Sequence, residues 1–206
     1  MSAAEQPECY SIDAYLELLD RSNEKFEFVN GYLRAMTGPT IRHNIIATNV
    51  TVLFGMKLKG LKCRAFNANS LTRVRRDSAT WMYFPDVSII CVSNKQSERF
   101  QERPEVVVEV LSSSTRAVDL DEKVENYLAI DSLQVYLLLE QDLPKAILYR
   151  RTAEGFLRES VEGLDKHIAF PTFGWSLSLA EVYEAVEFPP PSVREPSAEY
   201  AAEPLN

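Results

Sequence analysis

The chain has 206 residues, 46% apolar and 25% charged, with 22 Lys and Arg against 30 Asp and Glu for a formal charge of −8. A length near 200 favours one domain, and folding a chain of this size buries about 70% of its unfolded surface, so the core requires no disulfide or metal staple. The apolar fraction excludes a disordered chain, and the acidic balance argues against indiscriminate coating of nucleic acid, which needs local positive charge.

Ser11 to Asp20 reads as a short amphipathic helix, with Ser11 as N-cap and Ile12, Tyr15, Leu16 and Leu19 on one face. The run FEFVNGYLRAM places two apolar segments around Asn30-Gly31, the strongest short hairpin signal. From Thr40 to about Lys59 the apolar spacing suits a longer helix ended by Gly60. Cys63–Phe66 and Leu71–Val74 read as strands, followed by two stronger ones, Tyr83–Val92 and Glu105–Leu111, joined by the polar loop SNKQSERFQERP. Asp119 to Ile130 reads as a helix opened by Asp119 and Glu122 in capping-box register. Gln134–Leu139 follows as a buried strand, and 146–150 and 156–161 as a hairpin through Ala153-Glu154-Gly155. Ser178 and Glu181 open a last short helix. The expected organisation is an α/β domain over 1–187, a mixed central sheet flanked by helices, with a disordered Pro- and Glu-rich tail over 188–206.

Cys9, Cys63 and Cys91 are odd in number, widely spaced and form no CxxC pair, which fits a reducing compartment without a disulfide framework. The first residues lack the basic and apolar segments of a signal peptide. No apolar run approaches the roughly 18 residues of a membrane span. The expectation is a soluble cytoplasmic protein with no membrane contact.

Three positions break their local pattern. Glu109 sits within VVVEVL, a strand apolar on both faces, where a carboxylate is costly unless paired or bound to a metal; a solvated edge strand is the plainer reading, but its neighbours do not alternate with polar residues. Asp86, after Pro85, is either a turn residue or a partner of Glu109. An antiparallel hairpin with its loop centred near Ser97 sets 86 opposite 109, with Cβ atoms about 4.5–5.5 Å apart. Two carboxylates so close call for a cation between them, and Mg²⁺ suits such a pair. Lys123 falls inside the apolar arc of its helix, where it either snorkels to solvent or points at the carboxylate pair.

Pro85-Asp86-Val87, then Pro104 to Leu111 with Glu109, Ser112-Ser113-Ser114-Thr115, Asp119, Lys123 and Tyr127 resemble the pattern of a large bacterial family of restriction-endonuclease-like proteins with the PD-(D/E)xK nuclease fold. The resemblance spans about residues 10–186, including the Glu27 to Gly31 hairpin and the His43-Asn44 helix. Nuclease-superfamily members usually carry Lys two residues after the Glu; Leu111 stands there, and Lys123 takes the lysine's place from the following helix. Ser113 replaces a usual Pro, and Gln134-Val135-Tyr136 a usual acid-Tyr-Trp.

By that resemblance, Asp86, Glu109 and the Val110 carbonyl hold Mg²⁺, with Mn²⁺ able to substitute, and Lys123 orients the attacking water or neutralises developing charge. Glu27 completes the metal shell through water, or is a surface strand Glu beside Lys25. His43 is a weaker candidate, with a polar helix face as the plainer reading. Tyr127 packs to position Lys123, and His167 takes no role. Residues 57–77 hold Lys57, Lys59, Lys62, Arg64, Arg73, Arg75 and Arg76 against Asp77, a local charge of +6 that leaves −14 for the rest. This stretch is either a DNA-binding face or a merely solvated one. The reading is a Mg²⁺-dependent endonuclease acting on DNA phosphodiesters, as a homodimer by the same resemblance and because a duplex offers two strands. The rival is a catalytically idle nuclease fold kept as a DNA-binding or protein-interaction module. A two-carboxylate glycosidase needs a general acid in a sugar cleft, and the buried lysine and missing aromatic platform count against it.

Overall fold

Asn30 (φ 47°) and Gly31 (φ 100°) adopt the positive φ that a tight hairpin demands, and they join β1 (Phe26–Val29) to β2 (Tyr32–Ala35) in the register Glu27 opposite Arg34. In this computed structural model, which describes residues 9–190, the hairpin follows α1 (Ile12–Arg21), whose Ser11 side chain accepts from the Ala14 N–H. Helix α2 (Ile41–Lys57) is capped by Thr40, whose hydroxyl accepts from the His43 N–H. Its buried positions His43, Ile46, Val50 and Phe54 recur at helical spacing and form one stripe.

The chain then forms β3 (Arg64–Asn67), β4 (Leu71–Arg76), β5 (Ala79–Tyr83), β6 (Val87–Ile90), β7 (Phe100–Gln101) and β8 (Pro104–Leu111). Two short helices follow, α3 (Arg116–Leu120) and α4 (Glu122–Leu128), then β9 (Val135–Glu140), β10 (Lys145–Thr152), β11 (Gly155–Glu162), β12 (His167–Phe170), β13 (Trp175–Ser178) and α5 (Leu179–Val182). The larger sheet runs β11-β10-β9-β8-β6-β3, with β8 and β9 parallel and the other pairs antiparallel. A second sheet runs β2-β1-β5-β4-β7, and β12 pairs with β13.

Strand β8 is covered on both faces. Val106, Val108 and Val110 join a core with Ile46, Val50 and Phe54 of α2, while Val107 and Leu111 join another with Tyr127, Tyr136 and Tyr83. Two-sided burial explains the continuous apolar run and puts Glu109 on the tyrosine-lined face, by strand alternation with Val107 and Leu111. In the β6–β8 ladder Val87 lies opposite Val108, and an irregularity between Ile89 and Ile90 shifts the pairing at the loop end.

Several boundaries differ from the sequence reading. The expected strand 83–92 is two elements: Tyr83 ends β5, and the chain bends at Asp86 before β6. The expected helix 119–130 starts earlier, at Arg116, and breaks at Asp121 (φ −115°, ψ −81°). Asp119 is therefore not a cap but a buried side chain inside α3. Asp119 instead forms an i,i+4 ion pair with Lys123. Cys63 and Cys91 form a disulfide, contrary to the expectation of none, because the β3–β6 register that pairs Arg64 with Ile90 sets them opposite each other. The cysteine count therefore no longer argues for a reducing compartment. Of the expected tail, 188–190 carry no regular structure and 191–206 lie outside the described residues. Among the described residues no helix is long and apolar enough to cross a membrane.

Candidate active site

Asp86 precedes β6 by one residue, so the register of Val87 with Val108 carries it opposite Glu109. The two carboxylates are tied by the backbone: the Val110 N–H donates to Asp86 Oδ2 at 2.7 Å, and the Asp86 N–H reaches Glu109 Oε2 at 3.4 Å. Glu109 is 4% exposed.

Lys123 does not snorkel. It is 5% exposed, and its ammonium lies 2.9 Å from Glu109 Oε1, 3.1 Å from Glu27 Oε1 and 3.1 Å from Asp119 Oδ1. The buried positions of the helix and its C-terminal turn, Lys123, Asn126, Tyr127 and Ile130, put Lys123 in the middle of the inward face. That face is turned by about 70° from the arc the apolar residues define at 100° per residue. The Tyr127 hydroxyl donates to Glu109 Oε1 at 3.3 Å, so Tyr127 touches the cluster directly as well as packing beneath it.

Glu27 is buried, which excludes the surface-glutamate reading. Its Oε2 accepts from Arg34 at 2.7 Å across the hairpin. Arg34 also forks onto Glu122, with both nitrogens at 3.0 Å, and the Tyr83 hydroxyl donates to Glu122 at 2.7 Å. Arg34, Glu122 and Tyr83 were not expected at the site from the sequence, and Asp119 entered only as a helix cap and as part of the family pattern. The spacing Glu27–Arg34 about Asn30-Gly31 and the i,i+4 spacing Asp119–Lys123 were the available signals. His43 is buried too, with Nε2 3.1 Å from Asp86 Oδ2.

Five carboxylates (Glu27, Asp86, Glu109, Asp119, Glu122) thus face two cations, Lys123 and Arg34, a formal excess of −3. Burial, reinforced by Asp119, Asp86 and Glu27, pushes the Glu109 carboxyl well above the ordinary glutamate range, although Lys123 opposes the shift. Burial alone would lower the Lys123 ammonium, but Glu109, Glu27 and Asp119 outweigh it and hold the lysine well above its ordinary value. Glu122 ends below the usual range because the hydrogen bonds from Arg34 and Tyr83 outweigh its burial.

Each central carboxylate has one oxygen engaged and one less so. Oε1 of Glu109 is held by Lys123 and Tyr127, leaving Oε2 with the long backbone contact. Oδ2 of Asp86 accepts from the Val110 N–H and lies 3.1 Å from His43 Nε2, and no hydrogen bond among the described residues reaches Oδ1. Because a strand residue's N–H and C=O share an edge, the Val110 carbonyl faces the edge where Asp86 lies. Among the described residues no group of three or more His, Cys, Asp or Glu side chains is arranged to hold a metal ion by itself. These side chains line a cleft of about 860 Å³, with Lys25, Arg34 and the Ser112–Thr115 turn on its walls.

The basic stretch is not gathered at this cleft. Lys57, Lys59 and Lys62 lie at and beyond the C-terminal end of α2, about 21 Å along the axis from His43 at 1.5 Å per residue. Arg73 is held by Glu102 (2.5 Å) and stacks over Phe100, with Arg75 3.5 Å from Glu102. These two line a separate cavity of about 370 Å³, and Arg76 pairs with Glu125. Strand alternation sends Arg73 and Arg75 to one face and Arg76 to the other, so the six expected DNA contacts do not form one surface.

A mixed α/β fold with an Asp–Glu pair across neighbouring strands and a buried lysine defines a restriction-endonuclease-like protein. The chain belongs to the Uma2 family, described as "Putative restriction endonuclease", whose family model matches residues 12–180. It is 30% identical over 180 residues to an uncharacterized protein of Synechocystis sp. (strain ATCC 27184 / PCC 6803 / Kazusa), covering 86% of this chain and 93% of that one. A second uncharacterized protein of the same organism is 25% identical over 143 residues, covering 68% and 80%. In fold the chain is similar to a crystal structure titled a putative nuclease belonging to DUF820 from Anabaena variabilis ATCC 29413. The TM-score is 0.65 at 18% identity, over 82% of this chain and 97% of that one.

Proposed function

We propose that this protein is a Mg²⁺-dependent endonuclease that hydrolyses DNA phosphodiester bonds, with Mn²⁺ able to substitute. The observation that carries the reading is the opposed pair Asp86 and Glu109 lining a cleft, with Lys123 buried against Glu109. The donors fit the ion: two carboxylates, each with an oxygen left for further contact, and the Val110 carbonyl beside them suit Mg²⁺. That ion takes one or two protein carboxylates and fills its remaining positions with water and substrate phosphate. Asp86, Glu109 and Val110 would hold the ion, which when bound supplies a polarised phosphate and an activated water.

The chain's own residues do the rest. Lys123 carries a fixed positive charge beside Glu109, placed to orient a water or to meet charge developing on the phosphate. Glu27 and Asp119 hold that ammonium in place, Arg34 holds Glu27, and Tyr127 fixes the Glu109 carboxylate. Lys25 and Arg34 line the cleft walls and would be the contacts for a DNA backbone. The protein acts as a homodimer, since a duplex offers two strands to cut.

The test is cleavage of supercoiled plasmid in Mg²⁺ or Mn²⁺ by the wild type and by Glu109→Gln. Nicking or linearisation by the wild type alone is expected; equal cleavage by the variant would refute the assignment. One observation favours the rival, an idle nuclease fold kept for binding: Lys123 already supplies a cation to Glu109, Glu27 and Asp119. Cleavage by neither protein, with DNA retention by both in a gel-shift assay, would establish that rival. Light scattering at a monomer mass would remove the dimer.

A further inference from the structure

His43 stands where three constraints meet. It is the third residue of α2, and the Thr40 hydroxyl that accepts its N–H also donates to Gln141, just beyond β9, so the first helical turn is pinned to the end of the sheet. The ring is nine-tenths buried, with Nε2 3.1 Å from Asp86 Oδ2. Nδ1 is buried with no hydrogen-bond partner among the described residues. A buried imidazole set between a carboxylate and an unpartnered side has one inexpensive tautomer: the proton on Nε2 toward the carboxylate, and the lone pair on Nδ1.

We propose that His43 is a positioning residue, whose Nε2–H joins the Val110 N–H on Asp86 Oδ2 and so holds the carboxylate with Oδ1 turned into the cleft. The inference rests on reading Asp86 as the cation's ligand. Val110 alone fixes one oxygen but leaves the carboxylate free to swing about that contact; a second donor from a different element removes the swing. Contacts of this kind are often poorly aligned before a site is loaded and tighten afterwards. Partners that orient a ligand typically change metal affinity 10–100-fold when removed.

The experiment compares Mn²⁺ binding by titration calorimetry in the wild type, His43→Phe, His43→Gln and Asp86→Asn, with melting of each metal-free protein to confirm folding. His43→Phe should weaken Mn²⁺ binding about 10–100-fold. His43→Gln, whose amide N–H can reach the position of Nε2, should stay close to wild type. A ring that merely fills space would behave oppositely, tolerating Phe better than Gln. Unchanged binding in a folded His43→Phe, or equal loss in both His43 variants, overturns the proposal. A second readout does not need metal: nitrogen NMR should show His43 protonated at Nε2 and bare at Nδ1, and the reverse tautomer overturns the proposal. If the wild type and Asp86→Asn both fail to bind Mn²⁺ while Nε2 carries the proton, the metal reading fails and the His43–Asp86 contact stands.

Discussion

Replacing Lys123 with Met removes the cation that faces three buried carboxylates, of which Glu27 alone keeps a second cation, Arg34. Glu27, Glu109 and Asp119 are each at most 5% exposed and each lies within 3.1 Å of the ammonium. Removing one partner of a buried ion pair costs about 3–5 kcal/mol, because the remaining charge is left without compensation. For a domain of this size that lowers the melting temperature by about 6–20 °C, at 2–4 °C per kcal/mol. The loss should depend on pH in a defined direction. Glu109 has its folded pKa raised, so its contribution is intact below the ordinary glutamate value and is lost as pH rises through the window between its unfolded and folded values. Without Lys123 that window widens upward, so Lys123→Met should be near wild-type stability at about pH 4 and fall progressively behind by pH 8. The assay is thermal unfolding across that range, repeated for Lys123→Met with Glu109→Gln, where removal of one stranded charge should restore part of the loss. A drop below about 1 kcal/mol, the value of an exposed ion pair, or a difference that does not grow with pH, would refute the role of Lys123 as counterion to the cluster.

Three further outcomes follow. Glu109→Gln alone should abolish metal-dependent cleavage yet leave stability within about 1 kcal/mol, gaining on the wild type as pH rises, since the raised Glu109 carboxyl no longer opposes folding; a collapsed melting temperature would make the lost activity uninformative and contradict the charge excess. Asp119→Asn should reduce cleavage by up to about 100-fold through a displaced Lys123, without loss of fold by circular dichroism; full activity would remove Asp119 from the machinery. Gly31→Ala should cost about 1–2 kcal/mol in a denaturant melt, because φ there is 100° and a Cβ would lie 2.7 Å from the Cys9 sulfur; an unchanged midpoint would show that the hairpin relaxes.

The Asp86–Glu109 pairing was legible because strand geometry has a period of two, so a loop centre and two strand segments determine which residues oppose. The Asn30-Gly31 turn carried the same information about Glu27 and Arg34, but salt bridges across a hairpin are common on exposed strands, and only burial distinguishes this one. Asp119 was hidden by degeneracy: an acid just before a run of helical residues reads as a cap, and only the break at Asp121 and the packing of α3 against β8 make it an interior group. The basic run 57–77 misled because charge counted along the chain ignores direction: α2 carries Lys57 away from the cleft and β4 alternates its arginines between faces. The disulfide was unreadable from spacing, since it depends on β3 joining the edge of the larger sheet beside β6, a tertiary choice. Strands β12 and β13, four residues each, are too short for period to register.

The register shift between Ile89 and Ile90 bears on how this scaffold can change. A bulge lets one strand take up an extra residue while the ladder beyond it keeps its pairing. Here it lies between the long loop that joins β6 to β7 and the end of the ladder that sets Asp86 against Glu109. Length added to or removed from residues 92–99 is absorbed before it reaches Val87, so that loop can be rebuilt, tagged or lengthened while the carboxylates stay in step.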